Sequence, residues 1–549
     1  MHYIKILSMA IGISSLWSYT AKAQISALEA KPKYVIVIGF DGLSPSGLEN
    51  AAAPNFHKIM QEGAYSLHAR AVLPSSSSTN WASMIMGAGS EQHGITSNDW
   101  EKDNFTLPAI VQSEDFLFPT IFSLIDKQIP NAEIGAIYHW DDFGRLFEKS
   151  AVDYDVNPKT EDETARIASE YIIARKPTFT FIHFDHIDHA GHEFGHGSPE
   201  YYQSVEKADA LLGMLFQAIK KAGIADETMV IITSDHGGIG HGHGGESLQE
   251  VEIPFIVWGK SIKKNFQITS PVYQYDNAAT VAYGLGISIP TAWIGKPVLN
   301  VFEGLNVTDD FPVVSRYLPP VLLPEGKLNK KSGGLFDKET VVVIQNLNAN
   351  GAVFYTTDGT IPSKKANLYT EAFKITKNTV VKSAVFKDGK INSLVSEAFY
   401  RIKEKGSAAP INYSVYYLDK LTDLPNVAKL KPDFKGQSFE ITSDEVKAAI
   451  KDNTVVQFST KIKIEKEDSY TFYLRSDDGS KLWIDSKLIT DNDGDHGVKE
   501  KSGQIVLKPG IYSLEVGWFN GGGNGWLDVF YKSSFIPKQI IPTTVLNAQ

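Results

Sequence analysis

The 549-residue sequence contains no cysteine. Disulfide bonds, cysteine-ligated zinc, a cysteine nucleophile and a lipid anchor on an N-terminal cysteine are therefore excluded. A strong charge of either sign is also missing, because 53 basic and 64 acidic side chains leave a net charge of −11. Without a long basic block, we expect no nucleic-acid partner. The hydrophobic share of 42% and the charged share of 21% are ordinary for globular proteins.

Long apolar runs are missing beyond the N-terminus. Residues 6–17 are mostly apolar, but this stretch is shorter than the ~20 residues needed to span a membrane. The sequence Ala21-Lys22-Ala23 has the small-x-small form of a cleavage site. These features predict a signal peptide over residues 1–23, cleaved after Ala23. We therefore expect an exported protein, periplasmic or secreted, that is not a membrane protein.

Strand-like and helix-like segments alternate after the signal peptide, which predicts an α/β domain over residues 24–318. Near-continuous apolar runs predict buried parallel strands at residues 34–40, 178–184 and 228–233. Apolar residues at helical spacing predict helices at residues 159–174 and 199–222.

The rest of the chain has a different character, with short β runs separated by turn residues. This pattern predicts a β sandwich over residues 319–402 and a second one over residues 411–549. The small and polar residues 403–410 are typical of a linker. The expected architecture is an α/β domain followed by two all-β sandwich domains.

Histidines and aspartates concentrate where the predicted strands end. Eight of the 14 histidines lie between His183 and His243. Open α/β sheets build their sites beyond the carboxyl ends of strands, so aspartates that follow the three buried strands should lie close together. Carboxylates held together need cations, and imidazoles alongside favour zinc or a similar transition metal. The candidate ligands from this pattern are Asp41, Asp188, His192, Asp235, His236 and His243.

Two segments have more than one interpretation. Asp188 and His192 are four residues apart, which places them one turn apart on a helix, but Gly191 makes a tight loop an equal alternative. Residues 74–80 (PSSSSTN) supply hydroxyl groups before an apolar segment typical of a helix. A hydroxyl at a helix N-terminus is well placed to meet an anionic substrate, although a flexible serine-rich loop remains the alternative.

Five motifs in fixed order resemble the alkaline phosphatase superfamily, most closely its type I phosphodiesterase/nucleotide pyrophosphatase branch. They are Phe40-Asp41-Gly42, PSSSSTN at 74–80, His93-Gly94-Ile95, DHAGH at 188–192 and SDHG at 234–237. The resemblance covers residues 34–260. It implies an alkaline phosphatase-like α/β/α sandwich. It also implies an exported two-metal phosphohydrolase that cleaves phosphodiester or pyrophosphate bonds through a covalent phospho-serine.

The resemblance assigns catalytic roles within residues 74–80. It implies that Ser77 is the nucleophile and that Asn80 contacts a phosphoryl oxygen. The family usually has threonine where this chain has Ser77 and proline where it has Thr79, so Ser76 and Ser78 are alternative nucleophiles.

The resemblance also implies two zinc ions, or similar divalent transition metals. One would be held by Asp188, His192 and a late histidine. The late histidine is His243 rather than His241, because His243 precedes two glycines and then a strand-like segment. The other ion would be held by Asp41, Asp235, His236 and the Ser77 oxygen.

The substrate is expected to be a small-molecule or glycan-linked phosphoester, with a diester preferred over a monoester. Monoesterases of the superfamily place a positive side chain over the additional oxygen. Here the corresponding stretch offers two aspartates, Arg145 as the nearest cation, and the aromatic residues Tyr138 and Trp140. These two rings would stack on a base or sugar, with packing in the core as the alternative. A phosphomonoesterase of the same superfamily, or a glycan-binding adhesin with a vestigial catalytic domain, are the alternatives.

The two β segments have resemblances of their own. Residues 353–362 (VFYTTDGTIP) resemble the C-terminal β-module of chitobiase and β-hexosaminidases, for which a spacer role is expected. Residues 470–485 resemble the protective-antigen-type (PA-14) domain. Many PA-14 relatives bind carbohydrate, some through calcium held by an aspartate pair, which would here be Asp477 and Asp478. A turn in which these aspartates cap the backbone is the alternative.

Overall fold

The computed structural model describes residues 31–113, 115–305, 307, 317–324, 326, 331–348, 350–403, 408–523 and 525–547. The predicted signal peptide and the centre of the predicted linker lie outside these residues. The chain divides into two compact units, Met1–Ser315 and Arg316–Gln549. Among the described residues, none of the helices combines the length and the apolar character that crossing a membrane requires.

The first unit alternates strands and helices. Its described strands are β1 Tyr34–Phe40, β2 Ala64–Arg70, β3 Ile134–Tyr138, β4 Tyr154–Val156, β5 Phe179–Phe184, β6 Thr228–Thr233, β7 Glu252–Gly259 and β8 Phe266–Gln267. Its described α-helices are α1 Pro45–Asn50, α2 Pro54–Glu62, α3 Ser77–Met86, α4 Ser90–His93, α5 Ile121–Gln128, α6 Glu161–Arg175, α7 His186–Phe194, α8 Pro199–Lys221, α9 Leu248–Val251 and α10 Asp276–Leu285.

These strands form one mixed sheet in the order β4-β3-β5-β1-β6-β7-β2-β8. The central strand β1 pairs in parallel with β5 and β6, so that Val37 lies beside Phe181 on one side and Ile231 on the other. The three predicted parallel strands are confirmed, and β7 departs from the parallel pattern because it pairs antiparallel with β6. The carboxyl ends of β1, β5 and β6 therefore meet at one edge.

Helices cover both faces of this sheet. Val35 and Val37 of β1 belong to an apolar cluster with α3, α5 and α10, whereas Ile36 and Ile38 belong to a second cluster with α1, α2, α6 and α8. Successive side chains of a strand point to opposite faces, so a strand that is apolar throughout needs a cover on each side. The predicted α/β/α sandwich is confirmed.

The second unit is almost entirely β structure, as predicted. A first β module contains β9 Val321–Leu323, β10 Gly333–Phe336, β11 Thr340–Gln345, β12 Ala352–Thr356, β13 Asn367–Leu368, β14 Phe373–Ile375, β15 Thr379–Lys387, β16 Lys390–Ile391 and β17 Ser396–Ile402. A second β module contains β18 Ile411–Tyr417, β19 Phe434–Ser438, α11 Ser443–Val446, β20 Thr454–Ile464, β21 Asp468–Asp477, β22 Ser480–Ile484, β23 Lys487–Asn492, β24 Lys499–Leu507, β25 Gly510–Asn520, β26 Trp526–Lys532, β27 Gln539–Ile540 and β28 Leu546–Asn547.

Each β module is built from two sheets. In the second module, β18, β19, β20, β22, β23, β25 and β28 form one sheet, and β21, β24, β26 and β27 form the other. In β20, every second residue from Val456 to Ile464 is buried between the sheets, including Phe458, and β25 contributes the fully buried Trp518. This alternation is what a sandwich strand requires, because one face meets the core and the other meets water.

The two β modules share a buried contact. Arg401 at the end of the first module donates to both carboxylate oxygens of Glu440 in the second module, at 2.7 Å each. The side chain of Glu440 is only 3% exposed. Phe399 also packs against Phe530, with ring centroids 5.1 Å apart. Because a buried carboxylate needs a partner, the second module depends on a residue that precedes the predicted linker.

Replacing Arg401 with methionine should therefore destabilise the second unit. The change keeps an apolar stem but leaves the Glu440 carboxylate buried without its partner, which costs about 3–5 kcal/mol. Lys374→Met is the control, because Lys374 forms an exposed ion pair with Glu339 in the same unit. Chemical denaturation of residues 317–549 measures both variants. Equal stability of the two variants would contradict the role given to Arg401.

Candidate active site

Three aspartates meet where β1, β5 and β6 end. Asp41 follows β1 directly, Asp188 lies on α7 after β5, and Asp235 lies two residues beyond β6. Gly42 makes this approach possible: its φ is +69°, and a Cβ at this position would lie 2.8 Å from the Cα of Asp188. A larger residue would push α7 away from the end of β1.

The predicted metal ligands form two adjacent groups. The buried group consists of Asp41, Asp235 and His236, and the rim group consists of Asp188, His192 and His243. In the buried group, His236 Nε2 lies 3.2 Å from Asp235 Oδ2 and 3.4 Å from Asp41 Oδ1.

In the rim group, Asp188 Oδ2 lies 3.1 Å from His192 Nε2 and 3.7 Å from His243 Nε2. Asp188 and His192 both lie on α7, one turn apart, so the tight-loop alternative for this segment is not what the structure has. The rings of His236 and His243 stack at 3.7 Å, which places the two groups side by side. His241 is exposed and takes no part in either group.

The three imidazoles of the buried and rim groups are oriented in the same way. The Nδ1 atom of His236 lies 2.7 Å from the carbonyl oxygen of Gly237. The Nδ1 atoms of His192 and His243 lie 2.9 Å from the carbonyl oxygens of His241 and Ser75. A carbonyl only accepts, so each Nδ1 carries a proton, and in the neutral ring each Nε2 turns its lone pair toward a carboxylate. Such a contact is repulsive unless a proton or a metal ion lies between the two atoms.

Burial determines how the two groups hold charge. Burial, followed by repulsion from neighbouring carboxylates, raises the pKa of Asp41 and of Asp235 well above the usual range. Burial also lowers the pKa of His236 to about 3, so this imidazole does not supply a proton. In the more open rim group, the hydrogen bond to Asp188 raises the pKa of His192 to about 9. Both groups therefore attract positive charge, which protons on Asp41 and Asp235 supply in the buried group and a proton on His192 supplies in the rim group.

Ser77 faces the buried group. It begins α3, its Oγ lies 3.2 Å from His236 Nε2, and it is 5% exposed. The other hydroxyls of the loop have different partners: Ser75 Oγ bonds Gly245, Ser76 Oγ bonds Thr79, and Ser78 Oγ accepts from Arg145. Within this loop, only the Ser77 hydroxyl contacts a candidate ligand.

Asn80 has a different place from the one predicted. Its Nδ2 donates to the carbonyl oxygens of Val72, Pro74 and Ser76, and its Oδ1 accepts from the N–H of Val72 at 2.7 Å. Asn80 is fully buried. The prediction that Asn80 contacts a phosphoryl oxygen is therefore wrong, because its amide is saturated by the backbone of the serine loop.

An asparagine that the sequence analysis missed lies beside Ser77 instead. Asn98 Oδ1 accepts from the N–H of Ser78 at 2.8 Å. Arg145 donates to the carbonyl oxygen of Asn98 and, at 3.3 Å, to Ser78 Oγ. Arg145 thus ties the start of α3 to the segment that carries Asn98. No local pattern around Asn98 pointed to this role, because the contact joins distant parts of the chain.

Tyr138 also differs from its prediction. It is 6% exposed, packs against Phe143 and Phe147, and its hydroxyl accepts from Lys149 at 2.8 Å. Tyr138 is a core residue, so the prediction that it stacks on substrate is wrong. Trp140 is half-buried at the end of β3, and its contact with substrate stays a prediction.

A further histidine, His196, lies against the rim group. Its Nε2 is 3.7 Å from Asp188 Oδ1, and its side chain is almost fully buried. Cβ atoms at Gly191 or Gly238 would lie within 2.5 Å of its ring. These glycines therefore form the slot that admits the imidazole. The clustering of histidines in the sequence included His196 but did not single it out.

In the aspartate pair of the second β module, Asp478 caps the backbone of two neighbouring loops. Asp478 Oδ1 accepts from the N–H of His496 at 3.1 Å, and Asp478 Oδ2 accepts from the N–H of Gly521 at 2.8 Å. Among the described residues, Asp477 and Asp478 have no third acidic or imidazole side chain positioned to share an ion with them. This arrangement favours the capping alternative, and the calcium site stays a prediction.

A serine hydroxyl lies beside two groups of carboxylate and imidazole side chains, and the family comparisons support a hydrolase. Residues 35–241 match the family described as type I phosphodiesterase / nucleotide pyrophosphatase. Residues 331–397 match the chitobiase/β-hexosaminidase C-terminal domain, and residues 414–544 match the PA14 domain. The three predicted resemblances are confirmed.

Individual relatives match part of the chain. The human ectonucleotide pyrophosphatase/phosphodiesterase family member 5 is 26% identical over 220 residues, which is 38% of this chain and 46% of the relative. The human bis(5'-adenosyl)-triphosphatase ENPP4 is 26% identical over 216 residues, covering 38% and 48%. The chain spans about half the length of these relatives. The solved structure of murine family member 5 with AMP has a TM-score of 0.40 at 18% identity, covering 48% of this chain and 96% of that one.

The placement of Asn80 predicts a loss of stability rather than a loss of ligand contact. Asn80→Ala removes a set of buried hydrogen bonds to the serine loop and should cost about 2–4 kcal/mol in the free energy of unfolding. Ser76→Ala is the control, because Ser76 Oγ bonds only the Thr79 hydroxyl among the described side chains. Urea denaturation followed by circular dichroism distinguishes them. An Asn80→Ala protein as stable as Ser76→Ala would refute this placement.

Proposed function

We propose that the chain is an exported two-metal phosphohydrolase that cleaves phosphodiester or pyrophosphate bonds through a covalent phospho-serine. The observation that carries the proposal is the position of Ser77, whose hydroxyl meets His236 where the buried and rim groups adjoin. The family match over residues 35–241 supports a hydrolase of phosphodiesters.

The residues of both groups fit divalent transition metals. Asp41 Oδ1, Asp235 Oδ2 and Asp188 Oδ1 are buried oxygens without a hydrogen-bond partner among the described residues. Three imidazole lone pairs face these carboxylates. A mixed set of carboxylate and imidazole ligands, with each Nδ1 proton held by a carbonyl, is typical of zinc sites. Zinc ions bound by the two groups would stabilise charge on the phosphoryl and leaving-group oxygens and lower the pKa of a serine hydroxyl or of water.

The chain's own residues orient the attack. Ser77 Oγ forms a bond to phosphorus as the bond to the leaving oxygen breaks, and water later hydrolyses the phospho-serine. The hydroxyl proton of Ser77 passes to solvent, and the leaving alcohol takes a proton from solvent. Ser77 is the first residue of α3, so a phosphoryl group bonded to its hydroxyl would lie at the positive end of that helix. Asn98 and Arg145 hold this helix start in place.

The charge around Ser77 supports a preference for diesters. A monoester carries one more negative charge and needs an additional cation. Arg145 is the nearest cation in the corresponding stretch, but its guanidinium lies 2.7 Å from Glu101 and 3.2 Å from Asp142. Because two carboxylates already compensate Arg145, it offers little net charge to a dianion. A diester carries only one negative charge and needs no additional cation.

Replacing Ser77 with alanine should abolish turnover while the fold is kept. Losing a covalent nucleophile removes several kcal/mol of transition-state stabilisation, so kcat should fall by at least about a thousandfold. Ser76→Ala and Ser78→Ala are matched controls one residue away and should retain activity. Steady-state kinetics on a p-nitrophenyl diester measure all three. If Ser77→Ala remains active while a control is dead, the nucleophile is the neighbouring serine.

The substrate preference is tested with esters of one leaving group. We expect a higher kcat/KM for p-nitrophenyl methyl phosphate than for p-nitrophenyl phosphate. Elemental analysis should find two transition-metal ions per chain, and a chelator should remove both the metal and the activity. A higher kcat/KM for the monoester would favour the phosphomonoesterase alternative. Full activity without metal would refute the metal centre, and no turnover of any ester would favour the vestigial domain.

The remaining roles are extensions of this proposal. The predicted signal peptide of residues 1–23 supports export to the periplasm or beyond the cell. The match of residues 414–544 to the PA14 domain supports a carbohydrate ligand for the second β module. Such a ligand would hold the enzyme near glycan-linked phosphoesters.

A further inference from the structure

The two carboxylate oxygens of Asp41 have different surroundings. Oδ2 accepts from Trp81 Nε1–H at 3.0 Å and lies 3.4 Å from His183 Nε2. Oδ1 lies 3.4 Å from His236 Nε2 and has no hydrogen-bond partner among the described residues. One oxygen is therefore held by the protein core, and the other is left for the buried group.

The Trp81 side chain occupies space that the absence of a side chain at Gly39 leaves free. It is fully buried on α3, four residues after Ser77. A Cβ on Gly39 would lie 2.4 Å from the Trp81 ring, so β1 must carry glycine at this position. The edge of the indole also packs against His183, with ring centroids 4.6 Å apart. The indole thus has no room to turn its N–H away from Asp41.

His183 is held just as firmly. It lies on β5 with no exposed surface, and its ring stacks on Phe143 with centroids 5.7 Å apart. The backbone N–H of Trp140 points at His183 Nδ1 from 3.5 Å. An imidazole whose Nδ1 accepts carries its proton on Nε2, which is the atom that faces Asp41 Oδ2.

We propose that Trp81 and His183 are positioning residues that hold Asp41 Oδ2 and reserve Oδ1 for the cation of the buried group. This inference rests on the proposed metal site. The hydrogen bond from Trp81 and the approach of His183 Nε2, which lies 3.4 Å away and makes no hydrogen bond among the described residues, fix the plane of the carboxylate. This arrangement prevents the carboxylate from binding an ion through both oxygens. Outer partners of this kind orient metal ligands and typically change metal affinity by about 10–100-fold.

The arrangement also joins the nucleophile to the ligand. Trp81 and Ser77 lie on the same helix, one turn apart. The N–H of Trp81 therefore sets the distance between the start of α3 and the carboxylate at the end of β1. A loosened Trp81 contact should disturb Asp41 and Ser77 together.

Zinc affinity tests the inference. The full chain, with His192→Ala to disable the rim group, is stripped of metal and titrated with Zn²⁺ against a chromophoric chelator. Trp81→Phe keeps a ring but removes the N–H, and should weaken Zn²⁺ binding about 10-fold or more. Trp293→Phe is the matched control, because Trp293 is also buried in this unit and donates its N–H to the carbonyl oxygen of Pro119. This control should bind Zn²⁺ like the parent.

His183 gives a second, independent comparison. His183→Phe should weaken Zn²⁺ binding, and His183→Gln should restore part of the loss, because its side-chain amide can donate to the same oxygen. Rescue by glutamine would not follow from a purely packing role. Circular dichroism of the variants should match that of Trp293→Phe.

Each outcome decides the question. Zn²⁺ binding by Trp81→Phe and His183→Phe as tight as that of Trp293→Phe overturns the inference and leaves the proposed function intact. Unfolding of both variants also overturns it, because the residues would then serve the fold alone. If the His192→Ala parent itself binds no Zn²⁺, the proposed metal centre fails.

Discussion

The repulsion among three aspartates gathered at one sheet edge is the constraint that organises the first unit. Asp41, Asp188 and Asp235 are drawn together because β1, β5 and β6 run in parallel and end at the same level. Burial strengthens the repulsion, and the imidazole lone pairs that face the carboxylates add to it. Much of the surrounding detail keeps this unfavourable arrangement in place, including the glycines that admit close contacts and the carbonyls that fix each ring.

The sequence predicted the parts of this site that follow from strand ends. An apolar run followed by aspartate identifies both a buried strand and the place of its carboxylate, so Asp41 and Asp235 could be found without coordinates. Asn80 and Tyr138 were misplaced because their positions depend on long-range packing. A buried amide satisfied by backbone carbonyls and one that faces a ligand look the same in sequence. Asn98 was missed for the same reason, since its partner Ser78 belongs to another segment.

The second unit shows a different limit of prediction from sequence. Alternating strands and turn residues predicted two sandwiches, and the structure has sheets of this kind in both modules. No sequence pattern indicated that Arg401 and Glu440 form a buried pair across the predicted linker. A charged residue near the end of a strand is normally exposed, and only the neighbouring module buries this one. Composition therefore locates modules better than it locates the contacts that join them.

Two reciprocal hydrogen bonds, here called a clasp, join His192 of the rim group to His241, which lies outside that group. His192 Nδ1 lies 2.9 Å from the carbonyl oxygen of His241, and His241 Nδ1 lies 3.0 Å from the carbonyl oxygen of His192. Two segments separated by 49 positions are thus joined at two points, as a crosslink would join them. Neither bond involves a thiol, so the clasp is indifferent to oxidants and reductants. An imidazole that donates from Nδ1 keeps this donor when Nε2 gains a proton, so the clasp joins the two segments independently of acidity as well as of redox potential.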